Sequence, residues 1–242
     1  MISIDRPGCG LSTYQERRKI SDWSFDINEL AEELSLDKFS ILGFSTGGVY
    51  ALDYALHYPE RIVKLGLVSS IPYFVIDYSQ SSYPFQLRMI KGSSRFPLLG
   101  RTISHILSSA GINNYRRNPE KEYEKSLKAL PDVDRETWLD PSIKEWFLGD
   151  YIPDLIQPNL RGYSYDLFLM LKSLTNPEKL SHKIGVEYPV YFWHGENDNI
   201  VPPISSIEQQ KLILNSELIL YPLEGHKVIY THFNEIISKL IA

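Results

Sequence analysis

Residues 39–48 have the sequence FSILGFSTGG, in which a serine lies between glycines directly after a short apolar run. The run Phe39–Leu42 predicts a buried strand, and the residues after Gly47 predict a helix. Glycines two positions before and two positions after Ser45 carry no Cβ, which lets the chain turn sharply and expose the serine hydroxyl. This pattern predicts that Ser45 is a nucleophile. Because the bare pattern occurs by chance in roughly one chain in ten of this length, partner residues are needed to support it.

Short apolar segments alternate with helical patterns on either side of this turn. The further predicted strands are Ile2–Asp5, Ile62–Val68, Val190–Trp193 and Leu218–Tyr221. One helix is predicted to follow a cap at Asp22 or Ser24, and another to run over 228–240 at the end of the chain. Strands apolar on both faces that alternate with helices are typical of a mostly parallel sheet covered on both sides, which is an α/β fold.

Between the predicted strands Ile62–Val68 and Val190–Trp193 the alternation stops. A stretch of roughly 110 residues is too long for a plain loop, so we expect residues 71–183 to form a mostly helical cap and residues 1–70 and 184–242 to form the core. The aromatic side chains of this stretch either line an apolar pocket or pack as the cap's own core. They are Tyr73, Phe74, Tyr78, Tyr83, Phe85, Trp138, Trp146, Phe147, Tyr163, Tyr165 and Phe168.

An acid and a base follow two of the predicted strands. A serine hydroxyl needs a base to take its proton and a third group to orient that base. Asp198 comes just after the strand at 190–193, and His226 just after the strand at 218–221. Carboxyl ends of parallel strands share one edge of a sheet, so we expect Ser45, Asp198 and His226 to meet there. Glu196 is the competing acid. His194 suits hydrogen bonding within the loop that follows the strand at 190–193 and carries Asp198, which we call the acid loop.

Composition limits the partners of the chain. Its 242 residues are 43% hydrophobic and carry a formal net charge of −5, which gives no electrostatic reason to expect nucleic acid or an anionic membrane as a partner. Cys9 is the single cysteine, so no disulfide forms within the chain and a reducing, cytoplasmic location fits best. A metal site built from His194 lacks partners at ligand spacing, and we expect no metal or cofactor. We expect a small-molecule substrate.

Four motifs resemble those of the α/β-hydrolase superfamily, and specifically its cap-bearing serine hydrolases of the small esterase type. They are DRPGCGLS at 5–12, HYPERI at 57–62, HGENDNIVP at 194–202 and GH at 225–226, and the resemblance spans nearly the whole chain. It implies catalytic roles for Ser45, Asp198 and His226. It also implies substrate-binding positions at Phe44 and Thr46, the Thr46 backbone N–H being one oxyanion donor.

The resemblance further implies a reaction class. Hydrolysis of a small carboxylic ester or related acyl compound through an acyl-enzyme is the leading expectation. The serine at position 45 disfavours haloalkane dehalogenase chemistry, which uses an aspartate there. Haloperoxidase-like, lactonase and C–C bond hydrolase activities stay open on the same three residues.

The sequence departs from the family at its front, where members place further strands and a His-Gly loop that donates the second oxyanion N–H. Loss of one such donor costs on the order of 100- to 1,000-fold in rate. The alternative expectation is therefore a truncated, catalytically impaired remnant or a ligand-binding protein. Without its usual neighbour, Met1–Asp5 is expected either to pair with Phe39–Leu42 or to be poorly anchored.

Overall fold

A computed structural model describes residues 1–73, 96–153, 161–173 and 184–242. These residues form two compact units. One comprises the described residues within Met1–Arg18 and Phe85–Thr175, and the other those within Lys19–Pro84 and Asn176–Ala242.

The second unit contains a four-stranded sheet. Its strands are β1 (Phe39–Phe44), β2 (Ile62–Val68), β3 (Val190–Gly195) and β4 (Ser216–Tyr221). Its helices are α1 (Ile20–Glu33), α2 (Gly47–His57), α8 (Ile204–Leu212), α9 (Val228–Thr231) and α10 (Phe233–Ile241), with a 3₁₀ turn at Pro59–Arg61. All neighbouring strands are parallel, in the order β1-β2-β3-β4. The four strands predicted here are confirmed, and their carboxyl ends lie at one edge.

Helices cover both faces of this sheet, as predicted. On one face Leu65, Leu67 and Phe192 pack in a cluster with Leu52 and Tyr54 of α2. On the other face the alternate strand residues lie with α9 and α10; this cluster contains Val68, Trp193, Val228, Ile236 and Leu240. Because successive strand residues point to opposite faces, strands that are apolar throughout supply both cores.

The predicted strand at Ile2–Asp5 is wrong. Residues 1–6 have no regular secondary structure, and residues 1–5 are exposed. An extended segment becomes a strand only when a neighbour completes its backbone hydrogen bonds, and no described residue does so for this segment. Of the two outcomes expected for this segment, pairing with Phe39–Leu42 is absent, since β1 pairs only with β2 among the described strands. The exposure of residues 1–5 fits the other, a poorly anchored segment.

The first unit is built from helices in its described part. They are α3 (Pro97–Arg117), α4 (Pro119–Ala129), α5 (Asp132–Trp138), α6 (Pro141–Trp146) and α7 (Arg161–Ser173), with a π-helical turn at Phe147–Tyr151. Tyr123, Trp138, Phe147 and Ile152 form one buried cluster in it. Of the aromatic residues considered above, Trp138 and Phe147 thus pack in a core. Phe74, Tyr78, Tyr83 and Phe85 lie outside the described residues.

Charged side chains join the first 18 residues to α7. The Asp166 carboxylate accepts from Arg6 Nε at 2.6 Å and pairs through its other oxygen with the guanidinium of the buried Arg18. Nearby, a Cβ on Gly8 would lie 2.9 Å from Gly162 Cα, so both glycines permit a close backbone approach. These contacts group Met1–Arg18 with the helical unit. The division into a core and a cap stays a prediction.

Two helix boundaries differ from the prediction. The first helix begins at Ile20, so neither Asp22 nor Ser24 caps it; the Asp22 carboxylate instead accepts from the Lys19 N–H at 2.8 Å. The closing helix is broken at His232 into α9 and α10. No described helix combines the length and the apolar character needed to cross a bilayer.

Candidate active site

Ser45 lies in the turn between β1 and α2, with a backbone φ of 53°. This left-handed conformation is unfavourable for a residue with a side chain and persists only where surrounding bonds enforce it. The Ser45 N–H donates to Val68 O at 2.9 Å, and the Ser45 carbonyl accepts from Gly48 N and Ile71 N, each at 3.1 Å. The end of β2 and the start of α2 therefore hold the serine in place.

The glycines around Ser45 have different roles. A Cβ on Gly43 would lie 2.6 Å from both Gly47 O and Gly48 Cα, so this position admits no side chain. A Cβ on Gly47 would meet no atom within 4 Å, which corrects the expectation that the sharp turn depends on a missing Cβ at this position. The second close approach is at Gly48, where a Cβ would run into the Ser70 side chain.

Asp198 lies in the loop after β3 with its carboxylate fully buried. One oxygen, Oδ1, accepts from the backbone N–H groups of Ile200 and Val201, each at 2.8 Å. The other, Oδ2, accepts from two imidazoles, His194 at 3.0 Å and His226 at 2.7 Å. Burial opposes the negative charge, but these hydrogen bonds and the two imidazoles outweigh it and hold the pKa of Asp198 well below its usual range.

His226 connects the acid to the serine. Its Nδ1 lies 2.7 Å from Asp198 Oδ2 and its Nε2 lies 3.1 Å from Ser45 Oγ. Because an ionised carboxylate only accepts, Nδ1 carries the proton, which leaves the Nε2 lone pair facing the serine hydroxyl. The structure thus brings together the three residues that the sequence predicted to meet, whereas Glu196 is exposed.

Backbone hydrogen bonds join the acid loop to the loop that follows β4 and carries His226, which we call the base loop. The Glu196 N–H donates to Tyr221 O and the Asn197 N–H to Glu224 O, both at 3.0 Å. The Asn197 side chain also donates to Pro222 O at 2.7 Å. The separation of Asp198 from His226 is therefore fixed by hydrogen bonds of other residues in the two loops.

Phe44 and Thr46, the two predicted substrate-binding residues, flank the serine. The Phe44 ring lies 5.2 Å from the His226 ring, centroid to centroid, and the Lys227 ammonium lies 5.8 Å from the Phe44 centroid. Thr46 precedes the first residue of α2, at the helix end where backbone N–H groups point outward. Their roles in binding stay predictions.

His194 hydrogen-bonds within the acid loop, as expected. Its Nε2 lies 3.0 Å from Asp198 Oδ2 and 2.8 Å from Val201 O, and its Nδ1 lies 2.7 Å from Ser206 Oγ. Sequence reasoning missed Ser206, which is on α8 and carries no motif of its own. Among the described residues, no group of three or more His, Cys, Asp or Glu side chains is arranged to hold a metal ion.

Comparison with known proteins agrees with this geometry. A family model described as the alpha/beta hydrolase fold matches residues 1–233. A Nitrosomonas europaea protein named pimeloyl-(acyl-carrier protein) methyl ester esterase is 26% identical over 226 residues, which are 92% of this chain and 76% of that protein.

Two solved structures share the fold. A 2-hydroxy-6-oxo-6-phenylhexa-2,4-dienoate hydrolase from Rhodococcus sp. strain RHA1 gives a TM-score of 0.63 at 21% identity, over 96% of this chain and 75% of that one. An esterase from Exiguobacterium antarcticum gives a TM-score of 0.61 at 17% identity, over 98% and 78%.

Proposed function

Since this chain belongs to the α/β-hydrolase family, we propose that it is a serine hydrolase of small carboxylic esters or related acyl compounds. The observation that carries the proposal is the position of His226, within hydrogen-bonding distance of both Ser45 Oγ and Asp198 Oδ2. This arrangement lets one imidazole take the serine proton while a buried carboxylate stabilises the resulting imidazolium.

The reaction proceeds in two halves. Ser45 Oγ attacks the ester carbonyl carbon while its proton passes to His226 Nε2, and the backbone N–H of Thr46 donates to the oxyanion. As the tetrahedral intermediate collapses, the C–O bond to the alcohol breaks and His226 returns the proton to the leaving oxygen. Water then attacks the acyl-enzyme, again giving a proton to His226, and the carboxylic acid leaves as Ser45 is re-protonated.

The name of one relative supports an ester as the substrate class. The Nitrosomonas europaea relative is named as a methyl ester esterase, which supports an ester but leaves the acyl group of this chain's substrate open. The net charge of −5 supports a small-molecule substrate over nucleic acid or an anionic membrane. A cytoplasmic location, inferred from the single cysteine, belongs to the same proposal.

Labelling with a fluorophosphonate probe tests the nucleophile. We expect the wild-type chain to be labelled and Ser45→Ala to lose both the label and hydrolysis of p-nitrophenyl butyrate, by at least about 1,000-fold. Ser69→Ala is the matched control, because Ser69 also follows a strand with a positive φ, of 43°, yet its buried hydroxyl has no described hydrogen-bond partner. This variant should keep the label.

A folded wild-type chain that takes no label would contradict the proposal. That result would favour the alternative of a catalytically impaired or ligand-binding chain. Labelling that survives Ser45→Ala would instead move the nucleophile to another residue. Circular dichroism of each sample separates both results from simple unfolding.

A further inference from the structure

Asp198 lies at the centre of a chain of hydrogen bonds with a serine at each end. At one end, Ser206 Oγ is hydrogen-bonded to His194 Nδ1 at 2.7 Å. His194 Nε2 is in turn hydrogen-bonded to Asp198 Oδ2 at 3.0 Å. The same Oδ2 is also hydrogen-bonded to His226 Nδ1 at 2.7 Å. At the other end, His226 Nε2 is hydrogen-bonded to Ser45 Oγ at 3.1 Å. The arm through His194 has no part in the hydrolysis described above.

The protons on this second arm are fixed by their acceptors. His194 Nε2 faces both the Asp198 carboxylate and, at 2.8 Å, the Val201 carbonyl, and since neither oxygen donates, Nε2 must carry a proton. In the neutral imidazole Nδ1 is then the acceptor, and the Ser206 hydroxyl donates to it. Ser206 and His194 are both fully buried, so water does not compete for these bonds.

We propose that His194 is a positioning residue, which acts through Asp198 and is held in its tautomer by Ser206 and the Val201 carbonyl. This proposal rests on the function proposed above. The His194 N–H occupies a second lone pair of Oδ2 and fixes the orientation of the carboxylate toward His226. It also withdraws negative charge from that oxygen, so the carboxylate stabilises the His226 imidazolium without taking its proton.

Charged and titratable groups lie on the two loops that carry this series of hydrogen bonds. The charged or titratable groups that act on Asp198 are the two imidazoles themselves. From the base loop, the Lys227 ammonium lies 5.8 Å from the Phe44 ring centroid. From the acid loop, Glu196 is exposed. The α8 contact is the uncharged Ser206. A change in pH dependence after substitution of His194 therefore reports on Asp198 and His226.

The test compares steady-state hydrolysis of p-nitrophenyl butyrate across pH. His194→Phe keeps a planar ring but removes both nitrogens. We expect kcat to fall roughly 10- to 100-fold with KM within about twofold, because the lost bond is to a charged group. We also expect the acidic limb of the kcat/KM profile to move to higher pH, because the carboxylate then holds the imidazolium proton more tightly. His194→Gln, which retains an N–H donor, should recover part of kcat.

Ser206→Ala and Ser205→Ala form a matched pair that does not depend on replacing the imidazole. Both serines are buried on α8, but the Ser205 hydroxyl has no described hydrogen-bond partner. We expect Ser206→Ala to lower kcat about 3- to 10-fold and to shift the acidic limb in the same direction, and Ser205→Ala to match the wild type.

Fluorophosphonate labelling of the wild type is measured first, since its absence refutes the hydrolase itself. If the wild type is labelled, an unshifted acidic limb in both His194→Phe and Ser206→Ala, or equal rates for Ser206→Ala and Ser205→Ala, would overturn the positioning role alone. Should His194→Phe fail to fold, the comparison of Ser206→Ala with Ser205→Ala still decides the question.

Discussion

A Cβ atom on Gly195 would collide with the carbonyl oxygen of Gly225, so the loop that carries the acid and the loop that carries the base touch through their backbones. Two flexible loops alone would not keep a 2.7 Å hydrogen bond between Asp198 and His226. The close packing of the two glycines gives these loops the rigidity that a preorganised site needs.

Gly195→Ala should therefore separate acid from base. We expect it to lower the free energy of unfolding by about 1–3 kcal/mol, as overpacking does, and kcat/KM for p-nitrophenyl butyrate at least about 10-fold. Urea unfolding and steady-state kinetics measure the two effects. Gly185→Ala is the control, because a Cβ there meets no atom within 4 Å, and it should change stability by less than about 0.5 kcal/mol. Equal behaviour of the two variants would show that the loops do not pack as described.

The strained backbone of Ser45 predicts that glycine at this position gives a more stable protein than alanine. At a φ of 53°, Ser45→Gly relieves the strain that Ser45→Ala retains, so the glycine variant should be more stable by about 1 kcal/mol. Ser126 lies within α4, where the order should reverse and alanine should be the better residue by a similar amount. Urea midpoints of the four variants test this; the same order at both positions would contradict the strain at Ser45.

Asp198 should stabilise the fold in a pH-dependent way. Its pKa is held below the unfolded value of about 3.9, so as pH falls the unfolded chain binds the proton first and stability is lost. The stability from this charge is thus fully present at neutral pH and declines below about pH 4. Asp198→Asn should lack this component, whereas Asp132→Asn, at a side chain 90% exposed, should keep the wild-type dependence. Urea unfolding at pH 7, 4 and 3 makes the comparison, and parallel curves for wild type and Asp198→Asn would refute the expectation.

Cys9 should be a slow thiol in the native chain. Burial, and after it the nearby Asp166 carboxylate, raise its pKa to about 11. At pH 8 the thiolate fraction should be roughly 100-fold below that of the unfolded chain, and reaction with a disulfide reagent should slow in proportion. As Cys9 is the sole cysteine, the released chromophore reports on it alone. A native rate equal to the rate in urea would show that the thiol is not shielded.

The core of the fold was predictable because its signals are local. The strand at Ile62–Val68 matches the structure to the residue, and the strands at 190–193 and 218–221 each differ by two residues at one end. The meeting of Ser45, Asp198 and His226 followed from the parallel order of the strands that precede them. The positions of these residues needed no knowledge of side-chain packing, only that strands which are apolar on both faces lie parallel.

What the sequence did not predict depends on contacts between distant residues. The apolar alternation at Ile2–Asp5 looks like a strand, but a strand also requires a neighbour that accepts its hydrogen bonds. The need for a missing Cβ was assigned to Gly47 and belongs to Gly48, because only the Ser70 side chain distinguishes the two positions. Likewise, nothing in the sequence connects Ser206 with His194, because their bond depends on how α8 returns to the end of β3.

The two series of hydrogen bonds that meet at Asp198 have similar bonding geometry but differ in access to the serine at the end. Ser45 and Ser206 are each bonded to an imidazole that is bonded to the same carboxylate oxygen, so a three-dimensional template of hydroxyl, imidazole and carboxylate would recognise two overlapping sites. No electrophile can reach Ser206, whose residue is entirely enclosed, whereas Ser45 is partly open to solvent. Under the proposed function, steric access to the hydroxyl would distinguish the reactive serine from the inert one.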